Sequence, residues 1–113
     1  GDYNVYGRTL RRSNVAGATL SFSFAGGSVG LIGGAGEDGG MADVYVDGVY
    51  RGTRDGYSRG AEYRKSLLAI HGLDETVSHV LTLTVTGKRR AEATDGFVTL
   101  DAIEIVGGAG LLV

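Results

Sequence analysis

Leu20-Ser21-Phe22-Ser23-Phe24 alternates apolar and hydroxyl side chains without a break, placing Leu20, Phe22 and Phe24 on one face and both serines on the other. A period of two is that of a half-buried β-strand. Residues 80–86 repeat it, with Leu81, Leu83 and Val85 alternating with Thr82, Thr84 and Thr86. Threonine on the wet face suits a strand. Asp43-Val44-Tyr45-Val46 and Val49-Tyr50 flank Asp47-Gly48, and Asp-Gly between such runs predicts a two-residue hairpin, because a type I′ turn requires positive φ at both central residues. Residues 29–32, 63–70 and 97–105 are the remaining strand candidates, each bounded by Gly or Asp.

In the last of these the pattern slips: Val98 and Leu100 share one parity, Ile103 and Ile105 the other. Either a bulge near Asp101-Ala102 switches the faces, or the strand is central and covered on both sides. No stretch holds a capped helical period beyond two turns, and residues 63–73 read as a strand more readily than as a short helix. Six to eight short strands with turns about every ten residues predict an all-β antiparallel sandwich or barrel.

Composition narrows the picture. The 113 residues include 21 Gly and no Pro, Cys or Trp. That length supports one modest core. Without Cys there is no disulfide, thiolate metal site or cysteine nucleophile. A formal charge of −2 argues against nucleic acid as a partner. The apolar runs are far shorter than the ~20 residues of a spanning helix. The opening Gly-Asp-Tyr-Asn-Val-Tyr lacks the basic-then-apolar order of a signal peptide.

Two glycine motifs mislead. Gly34-Ala35-Gly36-Glu37-Asp38-Gly39 fits G-x-G-x-x-G, but a strand follows it where a nucleotide loop needs a helix, and its two carboxylates repel phosphate. Gly33-Gly34-Ala35-Gly36-Glu37-Asp38 and Gly107-Gly108-Ala109-Gly110 echo a calcium β-roll repeat, which works only in stacked arrays. Residues 33–40 are therefore expected to form a loop. Neither histidine, His71 or His79, has a patterned metal or nucleophile partner; His79 enters a strand and is expected to be packed or hydrogen-bonded. No nucleophile, base and oxyanion set emerges from the spacing, so a non-enzyme is expected.

Six Tyr and nine Arg stand out. Tyr57, Arg59, Tyr63 and Arg64 flank a Gly-containing connection; Tyr3, Tyr6, Arg8, Arg11 and Arg12 crowd the N-terminus; Lys88, Arg89 and Arg90 follow Gly87. Aromatic faces stack on a pyranose and arginines donate paired hydrogen bonds, so such loops suit a sugar.

The succession Gly17-Ala18-Thr19-Leu20-Ser21-Phe22-Ser23-Phe24, a strand from Val29, Ala42-Asp43-Val44-Tyr45-Val46-Asp47-Gly48, Tyr57-Ser58, Gly72-Leu73, His79-Val80-Leu81-Thr82-Leu83, Gly87-Lys88 and Gly96 with Val98-Thr99-Leu100-Asp101-Ala102-Ile103 resembles the galactose-binding-domain-like β-sandwich modules of secreted bacterial glycoside hydrolases. It is similar to family 6 and family 35 carbohydrate-binding modules over residues 17–106. The resemblance implies a jelly-roll sandwich over residues 1–106, an extracellular or cell-surface setting, a polysaccharide or oligosaccharide partner, and a structural calcium held by Asp101 with Asp2. Where related modules carry an aromatic and a proline-containing loop after the second strand, this chain has Leu31-Ile32 and the glycine-rich stretch. The sugar contacts are therefore expected at Arg54, Tyr57, Arg59, Tyr63 and Arg64. The competing expectation is a self-assembling subunit of a filament or surface layer. There, residues 107–113 form a glycine-hinged tail whose Leu111, Leu112 and Val113, or else an edge strand, dock on a neighbouring copy to give a homo-oligomer.

Overall fold

A computed structural model describes residues 3–6, 11–100 and 102–106. Ten strands run along the chain: β1 (Tyr3–Tyr6), β2 (Arg11–Ser13), β3 (Thr19–Ala25), β4 (Ser28–Ala35), β5 (Met41–Val46), β6 (Val49–Asp55), β7 (Glu62–Ile70), β8 (Ser78–Val85), β9 (Val98–Leu100) and β10 (Ala102–Val106). No helix occurs among the described residues. The fold is an all-β antiparallel sandwich. One sheet has the order β1-β10-β4-β7 and the other β3-β8-β5-β6, with a two-stranded β2-β9 ladder beside them.

The period-two segments fold as their patterns require. In the β3–β8 ladder Leu20 pairs with Leu83 and Phe22 with Leu81 on the inner face, and Ser21 pairs with Thr82 on the outer face. The core joins Phe24, Leu81 and Leu83 to Val44 and Val46 of β5 and, from the facing sheet, to Val29, Leu31, Ile103 and Ile105. At the β5–β6 hairpin Val46 pairs with Val49, and Asp47 and Gly48 both take positive φ, 53° and 78°. This is the two-residue turn that Asp-Gly predicts.

Residues 63–70 are strand, within β7. The parity slip near residue 101 coincides with a division of labour. β9 pairs with β2, whereas β10 lies between β1 and β4, with Ala102, Ile103 and Ile105 all buried. Asp101 itself lies outside the described residues. The division and the short strands β1 and β2 raise the count to ten, above the six to eight expected.

The expected loop over residues 33–40 is corrected in part: Gly33, Gly34 and Ala35 complete β4. Beyond them Gly36 and Gly39 form single bridges to Tyr57 and Phe97. Three connections are knitted together here through backbone. Gly56 N donates to Gly40 O (2.9 Å), Gly40 N to Phe97 O (2.7 Å), Phe97 N to Asp38 O (2.9 Å) and Ser58 N to Gly36 O (2.9 Å). The chains approach so closely that a Cβ at Gly39 would collide with the Gly56 carbonyl, and one at Gly40 with the Gly96 carbonyl. Glycine is required there for contact between backbones.

A candidate binding groove

The knitted end of the sandwich carries an open groove of about 770 Å³, within the ~300–1,000 Å³ usual for ligand sites. Its floor is the end of β4 with Gly39 and Thr99, and Arg12, Glu37, Asp38, Arg59 to Tyr63, Thr94 and Phe97 line it around that floor. The Arg12 guanidinium lies 3.5 Å over the Phe97 ring centre and donates to Asp38 Oδ2 at 2.5 Å. Phe97 is thus covered on that face by a cation. Asp95 pins the neighbouring loop by accepting from Gly96 N (2.7 Å) and Asn14 Nδ2 (3.2 Å), and these bonds, the Gly96 amide first, hold its carboxyl below the usual carboxylate range.

Tyr63 stands apart from this framework. It is 84% exposed on the groove wall, so its ring is not packed in the core. Around it two arginines stand against three carboxylates: Arg12 is paired to Asp38, and Arg59, Glu37 and Glu62 also line the groove. The lining contains no histidine. Such a surface offers one aromatic face and both donors and acceptors at fixed positions, which suits a polyhydroxylated ligand.

The expected sugar contacts are divided by the fold. Arg59 and Tyr63 face the groove. Tyr57 sits behind the rim, its ring 5.0 Å from the Arg90 guanidinium, which is itself paired to Asp55 at 2.7 Å. Arg54 turns under the floor, lining a void of about 20 Å³ with Leu31, Ala42, Leu67, Leu83 and Leu100, and its buried Nε finds no hydrogen-bond partner among the described residues. The side chain of Arg64 lies outside the described residues, as do Asp2, Asp101, Leu111, Leu112 and Val113. Among the described residues no three carboxylates or histidines gather where a metal ion could be held. Glu37, Asp38, Thr94 and Phe97 were not singled out as contacts from sequence, and Arg12 was seen only as part of an N-terminal basic cluster.

The opposite end holds the other titratable constellation. His79 is buried, 6% exposed, and both ring nitrogens meet oxygen: Nδ1 with Asp47 Oδ2 at 2.7 Å and Nε2 with the Asp74 carbonyl at 2.6 Å. A neutral imidazole carries one N–H, so donating to both acceptors requires imidazolium. The Asp47 bond first, then the Asp74 carbonyl, raises the His79 pKa above its ordinary 6.5. Asp47 is held below its ordinary value by His79 first and then by Val80 N, which donates to Oδ1 at 2.8 Å. His79 is thus a hydrogen-bonded structural residue, tying the β5–β6 turn to the β7–β8 connection.

No protein-family model matches the chain, and no curated protein matches it. No helix among the described residues is long and apolar enough to cross a membrane.

Proposed function

We propose that this sandwich is a non-catalytic carbohydrate-binding module, of the galactose-binding-domain-like kind, that holds an attached secreted enzyme on a polysaccharide. The observation that carries the reading is Tyr63, an aromatic left almost wholly in solvent on the wall of a groove of ligand size. Tyr63 stacks on a pyranose face; Arg59 donates to ring hydroxyls, and Glu37 accepts from them. The near balance of charge in the groove favours a neutral sugar chain over a polyuronate.

Affinity electrophoresis and calorimetry against neutral and acidic polysaccharides test the reading. Binding to a neutral glycan is expected, weakened about tenfold by Tyr63→Ala and unaffected by Tyr57→Ala. If no glycan binds at millimolar concentration, or if Tyr63→Ala binds as the native chain does, the proposal fails.

A further inference from the structure

Among the described residues the sandwich has several sheet edges, and those of β6, β7, β1 and β2 are blunted. β6 carries Arg51, Arg54 and Asp55 and a register shift after Val44 of its partner. β7 carries Glu62, Arg64 and Lys65 and two register shifts. β1 has four residues, and β2 has three, two of them arginines. Charge, irregularity and shortness are the ordinary protections of an edge against pairing with another chain.

β3 has none of these. Its seven residues, Thr19 to Ala25, include no charge and no proline, and its register with β8 runs unbroken from Thr19–Thr84 to Ala25–Ser78. Among the described residues it is the outer strand of its sheet. Beside it, between β3 and β2, a slot of about 170 Å³ is lined by Leu20, Leu83, Val85, Val98 and Leu100 together with Arg12, Ser13 and Thr19.

We infer that β3 is a self-association edge whose partner is β3 of a second copy, antiparallel about a twofold axis through Phe22. The sequence selects this occupant because it is nearly palindromic in chemistry about that point. Thr19 then faces Ala25 of the second copy, Leu20 faces Phe24, Ser21 faces Ser23, and Phe22 faces its own counterpart. On the inner face Leu20, Phe22 and Phe24 meet only apolar residues, and on the outer face Ser21 meets Ser23 while Thr19 meets the small Ala25, pairings that stabilise neighbouring strands. No charge opposes its like across the axis. The contact is isologous, so it closes at two copies and joins the two four-stranded sheets into one of eight strands. The inference stands on the edge alone and is independent of what the groove binds.

Sedimentation velocity across a concentration series tests it. The native chain is expected to show a monomer–dimer equilibrium. Ser21 and Ser23 are exposed, so the double variant Ser21→Lys/Ser23→Lys keeps its circular dichroism and melting temperature while its dimer weakens about a hundredfold. Mixing it with Ser21→Glu/Ser23→Glu restores a one-to-one dimer, because Ser21 of one copy lies opposite Ser23 of the other. A native chain that stays monomeric to about 1 mM overturns the inference, as does a lysine variant that dimerises undiminished or a mixture that fails to pair.

Discussion

At the groove end of the sandwich, residues 36–40, 56–58 and 94–97 are held by amides and carbonyls that meet because no side chain intervenes. At the far end, the β5–β6 turn and the β7–β8 connection are held by one imidazole between two oxygens. The groove end is built by leaving atoms out: its closest approaches are backbone on backbone, with the Asp38 and Asp95 carboxylates tying the loops from outside. The far end depends on a proton, and so on pH. The first arrangement is intolerant of any added carbon; the second tolerates added bulk at its turn but not the loss of a charge.

The sharpest way to break this contrast is to add one methyl group. Gly39→Ala drives a Cβ into the Gly56 carbonyl, and a loss of about 3 kcal/mol is expected, as for severe overpacking. Urea unfolding measures it, and the loss should not vary with pH.

Removing the imidazolium donor at the other end has a smaller effect with a pH signature. His79→Ala is expected to cost about 2 kcal/mol at mildly acidic pH, since it deletes two hydrogen bonds to a charged ring. In the native chain the raised His79 pKa makes its contribution fully present below about 6.5 and lost as pH rises through the folded value. The depressed Asp47 pKa works in the opposite sense, its contribution disappearing as pH falls below its ordinary 3.8. Thermal melts should therefore show the far end most stabilising between about pH 4 and 6.5, with a decline toward pH 9 that His79→Ala removes. The charges facing the pair are Asp47, Asp74 and, on Asp47, Arg51. A native profile flat from pH 6 to 9 would count against the imidazolium assignment.

The mildest change sharpens the comparison. Gly48 has φ 78° but open space where a Cβ would sit. Gly48→Ala thus costs only the backbone strain of a left-handed residue, about 1 kcal/mol. The ratio of the Gly39 and Gly48 effects separates glycine needed for close approach from glycine needed for φ.

Much of the fold was legible because its determinants are local. Leu20-Ser21-Phe22-Ser23-Phe24 and Leu81 to Val85 announce their faces within five residues, and Asp47-Gly48 announces its turn within two. The groove was less legible because its determinants are separated in sequence. Arg12 meets Asp38 across 26 residues and also stacks on Phe97, while Gly39 needs its lack of a side chain only because Gly56 arrives beside it. His79 finds Asp47 at a separation of 32. A count of tyrosines and arginines brought Tyr63 and Arg59 forward, but could not tell them from Arg54, which points beneath the floor.

Arg12 also decides how one side of the groove is anchored. It belongs to β2, which is attached through only three residue pairs to β9, whereas the floor continues β4, paired over much of its length to β7 and β10. Small ladders open at a fraction of the free energy of global unfolding. The groove is therefore anchored unequally: its floor is held by long ladders, whereas the side that carries Arg12 depends on a three-pair ladder and on the cross-links of that one guanidinium to Asp38 and Phe97.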